Sequence, residues 1–184
     1  LDWSEGASSL RERLSALHEA CSVPWPDVSD ARLLSDAREW LASELPRLAG
    51  GASLSSMRLE EALRTLVPWP QAGMIDEWAP ECIEIPTGAK RRIDWSSARP
   101  VLSLRVQEAF GWVDSPVFAG GRLPLILHLT DPAGRPAAVT SDLKSFWAGP
   151  YRDVRAQLRG RYPKHPWPED PFSEKPTSKA KPRH

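Results

Sequence analysis

Only two cysteines, Cys21 and Cys82, and four histidines, His18, His128, His165 and His184, occur in 184 residues. Two thiols cannot build a disulfide framework, and no histidine stands at ligand spacing from another or from a cysteine, which excludes a four-ligand zinc site. Both cysteines read as reduced, buried thiols of a cytoplasmic protein, and His128, in a predicted strand, reads as a satisfied core residue. Long apolar runs are missing too: the longest, Leu123–Leu127, is strand-sized, far short of the roughly 20 residues a membrane helix needs. Charges scattered from Leu1 to Ala20 argue against a secretory leader. Neither GxGxxG nor GxxxxGK followed by Ser or Thr is present, and Gly88-Ala-Lys90 lacks the loop length and hydroxyl of a phosphate cradle. There is no nucleophile elbow of the GxSxG type. Acid pairs such as Glu60-Glu61 and Asp76-Glu77 fall on predicted helix surfaces, where solvated charge is the ordinary outcome. The chain is therefore expected to bind no ATP and to catalyse nothing by itself.

What it has in excess is proline, 19 residues, and tryptophan, nine, a composition that suits short elements joined by rigid corners. Net charge is zero but unevenly spread: residues 1–80 carry 7 basic and 13 acidic side chains, and residues 81–184 carry 17 and 11. Two modules with different jobs, or two halves that attract one another, fit that asymmetry, and the basic half is the better candidate for contacting phosphates.

Helical periodicity dominates residues 1–80. Ser9-Leu-Arg-Glu12 reads as a capping box for a helix over 9–20, with Leu10, Leu14, Leu17 and Cys21 at helical spacing. A second helix is predicted over 30–44, burying Leu33, Leu34, Ala37, Trp40, Leu41 and Leu45 up to Pro46; a third over 56–66; and a fourth over 70–78, with Pro70 in its first turn. After Pro80 the period becomes two. Ile83 and Ile85, a Pro86–Ala89 turn, then Arg91, Ile93 and Trp95 make a hairpin; strands follow at 101–106, 123–130 and 137–140, with a helical turn at 107–110. Ser141 or Asp142 can cap a final helical pair broken at Gly149-Pro150. The expected architecture is α+β: an acidic helical bundle over 1–80, a basic domain over 81–172 with five short, mostly antiparallel strands compatible with an OB-like barrel or an open sheet, and a flexible Lys/Pro-rich tail over 173–184.

The most specific stretch is Tyr151–Phe172, YRDVRAQLRGRYPKHPWPEDPF. If a helix ends at Gly160, Arg152, Arg155 and Arg159 share one face while Val154 and Leu158 share another. Beyond it, Pro163, Pro166, Pro168 and Pro171 force an extended course carrying Tyr162, Trp167 and Phe172. Two readings stay open: the rings strap the segment onto its own domain, or rings and cations form a recognition surface. In the second, Arg152, Arg155, Arg159, Arg161 and Lys164 supply phosphate charge, Tyr162 and Trp167 stack on bases, and Lys90, Arg91 and Arg92 on the hairpin form a second basic cluster.

Together with RIDWSSARPVLSLRVQEAFGW and FAGGRLPLILHLTDPAGRPAAVTSDLKSFW, this stretch resembles the C-terminal region of the HrpB family of bacterial DEAH-box ATP-dependent helicases. The similarity runs from Ile83 to Phe172, and residues 1–80 resemble the segment preceding it. The resemblance implies a parent that hydrolyses ATP, with magnesium, on two RecA-like lobes and remodels RNA. The Walker lysine and DEAH carboxylates are missing here, so no catalytic residue carries over. The implied role is a non-catalytic accessory module whose partners are the helicase core and RNA, or another protein, with no membrane. The rival is a purely structural or protein-docking module.

Overall fold

The computed structural model describes residues 2–180, and their contacts divide them into two compact units. The first holds the chain up to Glu81 together with Trp95–Arg99 and Phe118–Leu123; the second holds Cys82–Asp94, Pro100–Val117 and the chain from Pro124 onward. His184 and the end of the predicted tail lie outside the described residues. Among the described residues no helix is long and apolar enough to cross a membrane.

The first unit is organised on α1 (Glu5–Cys21). Its N-cap is Ser4, whose Oγ accepts from the Ala7 amide at 3.2 Å. The predicted cap, Ser9, is instead buried inside the helix and donates to Glu81 at 3.4 Å. Leu10, Leu14 and Leu17 are buried as their spacing requires. Arg13 is buried with them, its guanidinium donating to the Ala79 carbonyl and to the carboxylates of Asp76 and Glu81.

The predicted second helix is broken into α2 (Asp30–Ser35), α3 (Ala37–Trp40) and α4 (Leu45–Ala49). Local hydrogen bonding competes with the helix at the first break: the single Ser35 hydroxyl proton has the Arg32 carbonyl at 3.0 Å and Asp36 Oδ1 at 2.7 Å as alternative acceptors. The Trp40 indole then folds back to donate to the Leu33 carbonyl at 2.9 Å. Leu33 and Trp40 are buried as expected, whereas the breaks turn Leu34 and Leu45 out to solvent. α5 (Leu59–Thr65) follows a 3₁₀ turn at Leu54–Ser56, and α6 (Ile75–Trp78) follows another at Gln71–Gly73, so the helices predicted over 56–66 and 70–78 are each shorter.

In the second unit β1 (Cys82–Glu84) and β2 (Lys90–Arg92) form the predicted hairpin. Gly88 takes φ +80° at its turn, a conformation L side chains rarely adopt. β3 (Val101–Arg105) runs parallel to β6 (Ile126–Thr130), which pairs antiparallel with β7 (Pro136–Thr140); β4 (Val117–Phe118) and β5 (Leu123–Pro124) form a separate pair.

Three small sheets thus stand in place of the expected five-stranded, OB-like one. Two features of the chain divide it. The hairpin reaches the next strand through one isolated bridge, Asp94 to Val101, and the run read as a single strand over 123–130 is interrupted where the Leu125 amide turns aside to the Pro116 carbonyl at 2.9 Å. Residues 106–125 supply the crossover that a parallel pair needs.

The register pairs Leu102 with Leu127 and Leu104 with Leu129, all four buried, each contributing about 1.5–3 kcal/mol. Alternation puts Ser103 and His128 on the other face, so His128 is exposed and not a core residue. Cys82 is likewise exposed, at the start of a two-stranded sheet with an uncovered face, and Cys21 is half-buried; the expectation of two buried thiols fails at Cys82 and is met only in part at Cys21. Asp142 caps α7 (Leu143–Ala148), its Oδ1 accepting from the Ser145 amide at 3.0 Å.

Candidate nucleic-acid interface

α8 (Tyr151–Arg161) starts directly after Pro150 and runs through Gly160, which was predicted to stop it. Gly160 keeps negative φ, and the helix closes at Tyr162, whose amide bonds the Leu158 carbonyl at 2.7 Å. Tyr151 and Leu158 are its buried residues. The Tyr151 ring meets Trp147 edge-on at 5.1 Å and its hydroxyl donates to the Pro168 carbonyl at 2.9 Å; burial pushes the phenol well above its ordinary pKa.

After α8 the chain turns rather than running straight out. The His165 amide bonds the Tyr162 carbonyl at 3.1 Å, and the Trp167 indole N–H donates to that same carbonyl at 2.8 Å. Trp167 is only 7% exposed, with Pro166 and Pro171 buried beside it in sequence. Arg155, predicted to face solvent, points to this segment: its Nε donates to the Trp167 carbonyl at 2.9 Å and its Nη2 lies 3.5 Å from Glu169. The Gly111 amide donates to the Pro171 carbonyl at 3.1 Å, the Arg105 guanidinium to the Ser178 carbonyl at 2.8 Å, and the Thr177 amide to the Gln107 carbonyl at 3.0 Å. The proline-aromatic stretch is a strap on its own domain, and Trp167 offers no open face for stacking.

Tyr162 belongs to a second fixture. Asp131, buried at the start of the turn between β6 and β7, accepts from the amides of Ala133 and Arg135 at 2.9 and 3.0 Å, from Arg135 Nε at 3.1 Å and from the Tyr162 hydroxyl at 2.8 Å. Burial alone would raise its pKa, but these donors outweigh it and hold the carboxyl at about 2, against 3.8 ordinarily. The folded carboxylate therefore refuses a proton that the unfolded chain accepts. Stability that is complete above pH 3.8 should drain away as pH falls toward 2, and Asp131→Asn should be weaker at pH 7 with a flatter loss across that window. Urea midpoints between pH 7 and pH 2 check both, and parallel curves for the two proteins would refute the assignment.

The remaining predicted cations separate into two surfaces. Arg152, Arg159, Arg161, Lys164 and Lys90 are exposed and make no ion pair among the described residues. Arg152 and Arg159 sit two turns apart on the outer face of α8, while Arg161 lies about 160–180° around the helix from them at 3.6 residues per turn. The structure thus keeps Arg152 with Arg159, engages Arg155 in the strap, and brings Arg161, expected beyond the end of the helix, onto the far side of α8. On the hairpin, Arg91 is spent on Glu108 at 2.7 Å, and Arg92 is exposed on the opposite strand face. Asp131, Arg135 and Gln157 were not singled out from sequence. Asp131-Pro-Ala-Gly134-Arg135 was legible as a turn, and an acid at its start with an arginine four residues on was the available signal; Gln157 gave none.

Fold and surface together define a two-unit α+β module whose terminal helix carries unpaired cations. Residues 40–171 match the family described as ATP-dependent helicase C-terminal. The ATP-dependent RNA helicase HrpB of Escherichia coli (strain K12) is 38% identical over 183 residues, 98% of this chain and 23% of that protein. The crystal structure of E. coli DExH-box NTPase HrpB superposes with a TM-score of 0.82 at 39% identity, over 95% of this chain and 22% of that one. A second, of E. coli DEAH/RHA helicase HrpB, gives 0.69 at 38% identity over 91% and 21%. The chain belongs to the HrpB C-terminal family of ATP-dependent helicases and spans about a quarter of the length of the curated relative it matches.

Proposed function

We propose that the chain is the C-terminal accessory module of an HrpB-type ATP-dependent RNA helicase, and that the outer face of α8 gives the motor an auxiliary, sequence-independent grip on RNA phosphates. The observation that carries this is the pair Arg152 and Arg159, both exposed and unpaired on one helix face while Arg155 between them is engaged in the strap. Phosphate contact of this kind needs charge and no ring, in keeping with the withdrawal of Trp167. ATP and magnesium belong to lobes outside this sequence. Gly88-Ala-Lys90 belongs to a hairpin turn whose amides are used internally, Gly88 donating to the Ile85 carbonyl at 2.8 Å and Ala89 to the Thr87 hydroxyl at 3.4 Å.

A second reading, docking on the helicase core or another protein, draws on the exposed apolar side chains of the first unit, among them Trp69 at 84% and Val23 at 87%. Binding of labelled single-stranded RNA across a salt series separates the two. Arg152→Ala with Arg159→Ala should weaken binding and make the slope of log affinity against log salt shallower by about 1.4, two phosphates at about 0.7 each. Absence of binding at low salt would sink the grip and leave docking.

A further inference from the structure

Arg161, expected from sequence to add phosphate charge beyond the arginine face, opens onto a different feature. Between α8 and the first residues of β7 lies a groove of about 300 Å³, whose wall includes Asp131, Pro136, Val154, Gln157 and Arg161. That is the lower end of the volume range for small-ligand sites, about 300–1,000 Å³.

The charge in this groove can be read group by group. The Asp131 oxygens are taken by four protein donors and its charge is balanced by Arg135 at 3.1 Å, so it neither repels an anion nor seeks a cation. Arg161 remains as an unpaired positive charge, and the Gln157 carboxamide has no hydrogen-bond partner among the described residues. The two stand at i and i+4 on α8, which places their side chains side by side. A cation next to a group that both donates and accepts matches a phosphate next to a sugar hydroxyl.

We propose that this groove seats one ribose-phosphate unit of single-stranded RNA, with Arg161 on the phosphate and Gln157 on the 2′-hydroxyl. The inference rests on the RNA-grip reading and deepens it: the outer face holds phosphates of any strand, and the groove supplies a preference for RNA. The 2′-hydroxyl is the group by which a protein tells RNA from DNA, and a carboxamide can both give to it and take from it.

The test compares a labelled oligouridylate with the oligodeoxyuridylate of equal length on the 184-residue chain. Wild type should favour the RNA, and Gln157→Ala should erase that preference, about a threefold to tenfold loss for the oligouridylate, the size of one hydrogen bond, with little change for the deoxy strand. Arg161→Ala should weaken both and lower the salt slope by about 0.7. Gln157 and Arg161 are exposed, and thermal melts matching wild type confirm that the variants fold. Equal affinity of wild type for the two strands, or an RNA preference that survives Gln157→Ala, overturns the groove assignment while leaving the outer-face grip intact if the Arg152 and Arg159 variants still lose binding. Loss of the grip shows instead as no binding of either strand. Uridine 5′-monophosphate that displaces the oligomer at the oligomer's own concentration would make this a free-nucleotide site and overturn the strand assignment.

Discussion

Trp167→Ala should destabilise the protein by about 3–5 kcal/mol, the cost of truncating a buried tryptophan, read as a lower urea midpoint. The indole is 7% exposed, its N–H is bonded to the Tyr162 carbonyl at 2.8 Å, and its own carbonyl is held by Arg155 at 2.9 Å, so the ring, the turn and α8 are tied at one residue. Trp167→Phe keeps most of the apolar burial and removes one hydrogen bond, so its cost should be nearer 1 kcal/mol. Any fall in RNA affinity for Trp167→Ala should follow the loss of folded protein and vanish in Trp167→Phe. A stacking platform would behave in the opposite way: stability would hold, and affinity would fall by about 1–3 kcal/mol per base. Unchanged stability in Trp167→Ala would therefore refute the strap and return Trp167 to the list of base-stacking candidates.

The difference between those outcomes was not readable from the sequence, and the reason is physical. Proline spacing shows where a chain cannot be helical, but not whether the non-helical segment lies on its domain or stands off it. That depends on partners far away, such as the Gly111 amide for Pro171 and the Gln107 carbonyl for Thr177. Periodicity, by contrast, is a local property, and it located α1, the hairpin, β3, β6, β7 and the break between α7 and α8. It failed where short-range polar groups compete with the helix, as at Ser35 and Asp36, and where strand pairing is decided by the course of a connection, as with the parallel β3 and β6. On α8 the spacing of arginines correctly joined Arg152 to Arg159. It could not show that Arg155, at the edge of the same stripe, would find the carbonyl of Trp167. Gln157 carries no charge and no periodic signature; only the groove beside it makes it a candidate.

In the first unit the largest effect is expected at Arg13, and the order of its variants carries the argument. Its side chain is 1% exposed, whereas those of its acid partners Asp76 and Glu81 are 80% and 49% exposed. Removing the guanidinium leaves both acids in contact with water, where they lose little. What remains unsatisfied is the buried Ala79 carbonyl, worth about 1–3 kcal/mol. Arg13→Met, which keeps the stem's volume, should therefore cost about 1–3 kcal/mol. Asp76→Asn combined with Glu81→Gln does the reverse: it preserves the buried cation and withdraws its counter-charges, and should cost about 3–5 kcal/mol. The double replacement at the wet end of the pair is thus expected to be worse than loss of the buried end. Urea unfolding of the three proteins at neutral pH decides it. Should Arg13→Met prove the more damaging, α1 would depend on the guanidinium's bond to Ala79 far more than on its ion pairs, and the first unit would be held by that main-chain anchor.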